Sequence, residues 1–197
     1  MFLSKPSDSE KRSALYARDR ADDGYVANLT CLWAWRPDVY DAFVKLRALV
    51  TDPSALSMRV RATLVCATAA TVGDSYCALA WGTRLAAETD ANTAALVLQR
   101  KEAPERTARE NALAMWAQKV MREPNAITAD DVEALRSVGI ADQEIFSATA
   151  FVALRLAFST VNDALGARPD RELAASAPAV VRNAVVYGRS VAEVSAE

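Results

Sequence analysis

The chain of 197 residues contains no histidine. That absence alone removes Ser-His-Asp and Cys-His catalysis, histidine-held metals and histidine-ligated haem. Cysteine is scarce: Cys31, Cys66 and Cys77 are odd in number and widely spaced, forming neither a disulfide framework nor a metal knuckle. Neither G-x-G-x-x-G nor G-x-x-x-x-G-K-[ST] occurs, so the usual glycine-loop nucleotide sites are missing. No metal and no cofactor is expected. Charge of one sign does not dominate either, with 23 basic and 25 acidic residues interspersed and a net charge of −2. A nucleic-acid partner therefore has no electrostatic footprint here. The opening "MFLSKPSDSEKRSALYARDR" lacks an apolar signal core, and no uncharged apolar run of about eighteen residues follows it. A soluble, cytoplasmic protein without a membrane partner is the expectation.

Breaks in the chain are few as well, with 6 glycines and 7 prolines. Alanine and leucine are abundant, and no stretch alternates in the manner of a strand, so the expected fold is all-α. Residues 1–20 read as a polar, mobile arm, and residues 21–197 as one domain. A site half covers residues 21–100 and a second helical half covers 101–197. A short helix is expected over 25–34. The next begins at Pro37, with Val39, Phe43, Leu46 and Val50 on its inner face. A helix over 54–72, with Leu56, Val60, Leu64 and Ala67 inward, ends at Gly73. Asp74 is a natural N-cap for a following helix from Ser75 to Glu88, and the two form a hairpin. Further helices are expected over 92–98, from Pro104 to 122, and from 129 with a Thr128–Asp131 capping box and a stop at Gly139. The longest runs over 142–165, with Ile145, Ala148, Val152, Leu156, Ser159 and Asp163 on one face. A last helical region spans 178–192.

Within the hairpin, "TVGDSYCALAWGTRLA" has the shape of a redox site: a glycine turn, then a lone cysteine opening an apolar helix. As the third helical residue after an Asp74 cap, Cys77 lies among orphan N–H groups, and the helix dipole favours its thiolate by roughly 0.3–1 kcal/mol. An aspartate about 6 Å away opposes this by ~0.7 kcal/mol at the dielectric of water and ~3 kcal/mol at an effective constant of 20. Trp81, one turn on, adds an apolar wall. Cys77 is thus expected not to be an unusually acidic thiol, and packing as a small hydrophobe is the plain alternative to a reactive role. Cys66 and Cys31 read as core thiols, and Trp33, Trp35, Trp81 and Trp116 as packing residues or a pocket lining.

Three blocks resemble the alkylhydroperoxidase AhpD and carboxymuconolactone decarboxylase superfamily, most nearly its peroxidase-related branch. They are "GYVANLTCLWAWRPDVYDAF", "MRVRATLVCATAATVGDSYCALAWGTRLA" and "ITADDVEALRSVGIADQEIFSATAFVALRLAFSTVNDALG", in the same order as in that branch. The resemblance implies a helical fold whose central hairpin carries the site. It also implies a homo-oligomer, dimeric or hexameric, and a thiol peroxidase built from a glutamate, a Cys-x-x-Cys pair and a histidine. On this sequence the attacking cysteine falls on Cys77, with Tyr76 before it. The resolving cysteine falls on Asp74, the histidine on Trp81 and the glutamate on Ala62.

Three functions follow: an antioxidant oxidoreductase using Cys77 alone on a peroxide, a lactone lyase or isomerase working by proton transfer, and a non-catalytic relative that binds a small molecule or serves as a scaffold. Asp74 removes the nearby resolving thiol. Peroxide is therefore expected to form no intramolecular disulfide at this helix start, and oxidation of Cys77 should stop at sulfenic acid or a mixed disulfide. Intact-mass and peptide mass spectrometry check this, and a rapid Cys66–Cys77 bond would contradict it.

Overall fold

A computed structural model describes residues 1–51 and 56–193. These residues form eleven α-helices, with a short 3₁₀ turn at Pro124–Ala126, and no strand is found among them. At the centre stands the hairpin of α4 (Met58–Val72) and α5 (Ser75–Glu88). Around it pack α6 (Ala91–Leu98), α7 (Ala108–Arg122), α9 (Asp142–Ala164) and α11 (Ala179–Ala184), while α3 (Pro37–Val50) lies on α9 and α8 (Ala129–Ser137) joins α7 to α9. The expected all-α architecture and its central hairpin are both present.

The chemistry of α4 explains its central place. Every residue from Ala62 to Ala70 is buried, as expected of a helix that is apolar all round. The hydroxyls of Thr63, Thr68 and Thr71 donate to the carbonyls of Arg59, Leu64 and Ala67, one turn back, so these threonines are satisfied within the helix. Full burial of a side chain such as Leu64 contributes roughly 1.5–3 kcal/mol. Gly73 then ends the helix at φ 81°, a left-handed conformation suited to glycine. Leu56 is buried ahead of α4, and the part of the expected helix at 54–55 lies outside the described residues. On α5, Gly82 lets α6 and α11 approach closely, because a Cβ there would lie 2.7 Å from Val181 and 2.8 Å from Leu98.

The outer elements correct several expectations. Residues 1–20 are not an arm, since α1 (Glu10–Asp22) is capped by Ser9 and packs Leu15 and Tyr16 against Val26, Cys31 and Ala34. Two apolar residues are enough to anchor an otherwise polar helix. The short helix α2 covers Asn28–Trp33. On α3, Phe43 and Val50 face the core as expected, but Val39 and Leu46 are 40% and 48% exposed. The helix has two apolar faces and packs only one. The helix expected from Pro104 starts instead at Ala108, where Thr107 and Glu110 close a capping box that Pro104 could not supply. The Thr128–Asp131 box and the left-handed Gly139 are present as expected. By length and composition α9 could cross a bilayer, but the inner face of a core helix passes the same measure, and here it buries Arg155, Ser159 and Asn162 against neighbouring helices.

After α10 (Arg171–Ser176), the helical region expected over 178–192 is helical only in α11, and an irregular segment over 185–193 returns to the centre. Ser75 donates its hydroxyl to the Arg189 carbonyl at 2.7 Å, and Arg189 donates to the Asp163 carbonyl at 2.8 Å. Gly188 sits directly on the α4–α5 turn at φ 73°. A Cβ there would collide with the Gly73 carbonyl and lie 2.8 Å from the Ser75 nitrogen. Backbone strain and backbone overlap act together, so Gly188→Ala should destabilise the chain by roughly 2–3 kcal/mol. Urea unfolding followed by circular dichroism checks this, and an unchanged midpoint would mean the segment does not clamp the turn.

Candidate functional site around Cys77

Asp74 is fully buried and caps α5: one carboxylate oxygen accepts the Cys77 backbone N–H at 2.8 Å. Its other oxygen accepts the hydroxyl hydrogen of Ser159 on α9. One turn earlier on α9, the Arg155 guanidinium donates to Cys77 Sγ at 2.8 Å, and the Ser159 hydroxyl lies 3.8 Å from the same sulfur. Two residues from the start of α5 thus meet two residues spaced one turn apart on α9. Asp74 pairs with Ser159, and Cys77 with Arg155.

Arg155 is the residue that the sequence reading missed. It is 2% exposed and has no carboxylate partner among the described residues, and its Nε has no hydrogen-bond partner. Two aromatic faces accommodate the charge instead, with its central carbon 5.5 Å from the Trp81 ring centre and 5.0 Å from that of Phe158. Each such contact is worth about 2 kcal/mol or more when desolvated, against several kcal/mol for taking the ion out of water. Phe158 in turn stacks on Trp33 at 5.1 Å, and the Trp33 indole N–H donates to the buried Asn162 at 2.9 Å. The face of α9 carried the signal: Val152, Arg155, Ser159 and Asn162 share one stripe, so a cation and two polar groups interrupt a buried row.

The remaining positions divide. Trp81 is half-buried and reaches the site through Arg155. Ala62 is fully buried within the same core as Cys77, where its methyl group can supply packing only. Tyr76 points away, packing with Leu32 and Ala167 and donating its hydroxyl to Asp170, which also accepts the Asn28 N–H at 2.8 Å. Burial pushes the Tyr76 phenol well up, and the Asp170 carboxylate pushes it further. Cys66 and Cys31 are buried, and neither forms a disulfide among the described residues.

Electrostatically, burial dominates Cys77. Loss of solvent pushes its thiol up to about 12, Arg155 pulls it down, and Asp74 pushes it up again. The expected contest between helix dipole and Asp74 is therefore secondary to burial, and Arg155 is the main favourable charge. Asp163 lies nearby, and burial followed by the charge of Asp74 raises it to about 6, with Arg189 opposing.

No protein-family model and no curated protein matches the sequence. Solved structures do. An uncharacterised peroxidase-related protein from Ralstonia eutropha JMP134, described as an alkylhydroperoxidase AhpD core, superposes with a TM-score of 0.79 at 24% identity, over 87% of this chain and 93% of that one. A peroxidase-related protein from Silicibacter sp. TM1040 gives 0.77 at 22% identity, over 87% and 93%. The debrominase Bmp8 gives 0.73 at 12% identity, over 94% and 98%.

The raised Asp163 carboxyl makes a prediction. The fold favours its protonated form, so this group's stabilising contribution is complete below its ordinary value of 3.8 and is lost as pH rises through about 6. Asp163→Asn should therefore melt above wild type at pH 7.5, with the difference vanishing near pH 4. Thermal melts at both pH values check it, and a variant less stable at pH 7.5 would contradict it. Taken with the buried hairpin and its α9 partner, these superpositions establish that the chain has the AhpD-core fold.

Proposed function

We propose that the chain is a peroxidase-related member of the AhpD-like superfamily that reduces hydroperoxides through one working thiol, Cys77. The observation that carries this is the Arg155 guanidinium placed 2.8 Å from Cys77 Sγ with no carboxylate competing for it among the described residues. A cation aimed at a sulfur favours the thiolate and any negative charge that develops on an attached oxygen. The thiolate attacks the outer oxygen of the hydroperoxide and an S–O bond forms. The O–O bond breaks with its electron pair on the departing alkoxide, which takes up a proton to become the alcohol. Sulfur is oxidised by two electrons to sulfenic acid. One molecule of an external thiol displaces water to give a mixed disulfide, and a second releases Cys77 as the external disulfide departs. Trp81 replaces the proton-relaying histidine of the resemblance with a wall that holds Arg155, and Ala62 offers no carboxylate.

A second function, a non-catalytic relative that binds a small molecule or serves as a scaffold, is favoured by a different observation. Cys77 is 3% exposed, with its thiol pushed up to about 12. Under either function we place the chain in the cytoplasm as a homo-oligomer. Its surface for self-association is the outer stripe of Trp35, Val39, Leu46 and Leu49, exposed by 40–78% and set at helical spacing.

The experiment separates the two functions. Sulfenic acid formed on Cys77 by cumene hydroperoxide is trapped with dimedone and quantified by mass spectrometry in single turnovers. Between pH 7 and pH 10 the rate should rise about tenfold per unit, because the thiolate fraction does so below a thiol pKa near 12. Asp74→Asn should accelerate it by lifting repulsion. Arg155→Met, if circular dichroism shows it folded, should slow it at least tenfold. Folded wild type with no adduct at pH 10 would overturn the peroxidase and leave the non-catalytic relative.

A further inference from the structure

Two arginines from two helices lie over the ring of Trp81, and a third from another helix is electrostatically coupled to both. Arg155 of α9 lies over it as described, and Arg84 of α5 places its central carbon 5.2 Å from the same ring centre. Arg47 of α3, half-buried, lies within electrostatic reach of Arg155, Arg84 and Cys77. None of the three has a carboxylate partner among the described residues, whereas Arg59, Arg109 and Arg136 are each paired. The hydrogen bond from the Arg84 side chain to the Ala80 carbonyl, at 2.9 Å, holds that guanidinium on the ring. Exposure falls from Arg84 at the surface, through the half-buried Trp81 and Arg47, to the buried Arg155. Like charges gathered around an aromatic surface repel one another, and burial together with Arg155 already lowers the Arg47 guanidinium below its ordinary value. Such an arrangement is stabilised by an anion seated among them.

We propose that the arginines around Trp81 form a binding site for an organic carboxylate. Guanidinium groups match the planar, two-oxygen carboxylate through paired N–H donors. The indole face between them suits an apolar or aromatic body more than a compact, strongly hydrated phosphate. The buried Arg155, whose Nε has no hydrogen-bond partner among the described residues, adds an incompletely compensated charge behind the two more accessible arginines. This site stands on the arginines and Trp81 alone, and it holds whether or not Cys77 turns over.

Isothermal titration calorimetry of the full chain with sodium benzoate, sodium acetate and inorganic phosphate, at matched ionic strength, tests it. Benzoate should bind saturably and raise the melting temperature, acetate should bind at least tenfold more weakly, and phosphate should not saturate. Arg47→Gln and Arg84→Gln, both outside the closed core, should each weaken benzoate at least tenfold. Arg136→Gln, which removes an arginine already paired with Asp142, should leave the affinity unchanged. Absence of saturable benzoate binding overturns the site, as does equal binding by Arg47→Gln and Arg84→Gln. Phosphate binding more tightly than benzoate overturns the carboxylate assignment.

Discussion

A guanidinium ion taken out of water has to be compensated wherever it comes to rest. Arg155 meets that constraint with a sulfur on one side and two aromatic faces around it, and much of the interior is arranged accordingly. Trp81 and Phe158 take their positions against its charge. Trp33 stacks behind Phe158, and Asn162 fixes the Trp33 indole. In a chain without histidine, the cation that addresses the sulfur at the start of α5 comes from α9.

A second polar link joins the same two helices. Asp74 divides its oxygens between the backbone of its own helix and the hydroxyl of Ser159, so it orients the helix start and fixes the register of α9 with one side chain. Helix capping, which in isolation is worth about 1 kcal/mol, here also aligns the catalytic candidate with its arginine. On the far side of α5, Tyr76 performs a comparable linking task, reaching Asp170 and through it the start of α2. α9, the start of α10 and, through Asp170, the start of α2 are thereby tied to α5 by buried polar groups.

Local chemistry was legible in the sequence where one residue settles a boundary. Gly73 and Asp74 place the hairpin turn, and Thr128 with Asp131 opens α8, because those conformations and hydrogen bonds involve neighbours a few positions apart. What escaped depended on residues far apart in the chain. Arg155 was passed over because the face of α9 was traced through Leu156, which is 36% exposed, when the buried stripe runs one residue earlier. The inward face of α3 was misjudged at Val39 and Leu46 because hydrophobic spacing marks apolar faces without saying which of two the fold covers. The polar composition of residues 1–20 concealed the two anchors, Leu15 and Tyr16, that hold α1 in place.

The clamp over the α4–α5 turn also bears on how the protein is made. The Ser75–Arg189 hydrogen bond spans 114 positions, and Cys77 is 78 positions ahead of Arg155. At synthesis rates of about 5–20 residues per second, the hairpin is outside or inside the ribosome for roughly 6–20 s before its clamp has been polymerised. For most of that interval Asp74 and Cys77 have neither Ser159 nor Arg155, and the turn has no Gly188 above it. The nascent thiol is therefore at its most solvated, and most open to oxidation, before the chain is finished. Translation speed over the stretch that follows the hairpin, up to Arg189, sets the length of that exposure.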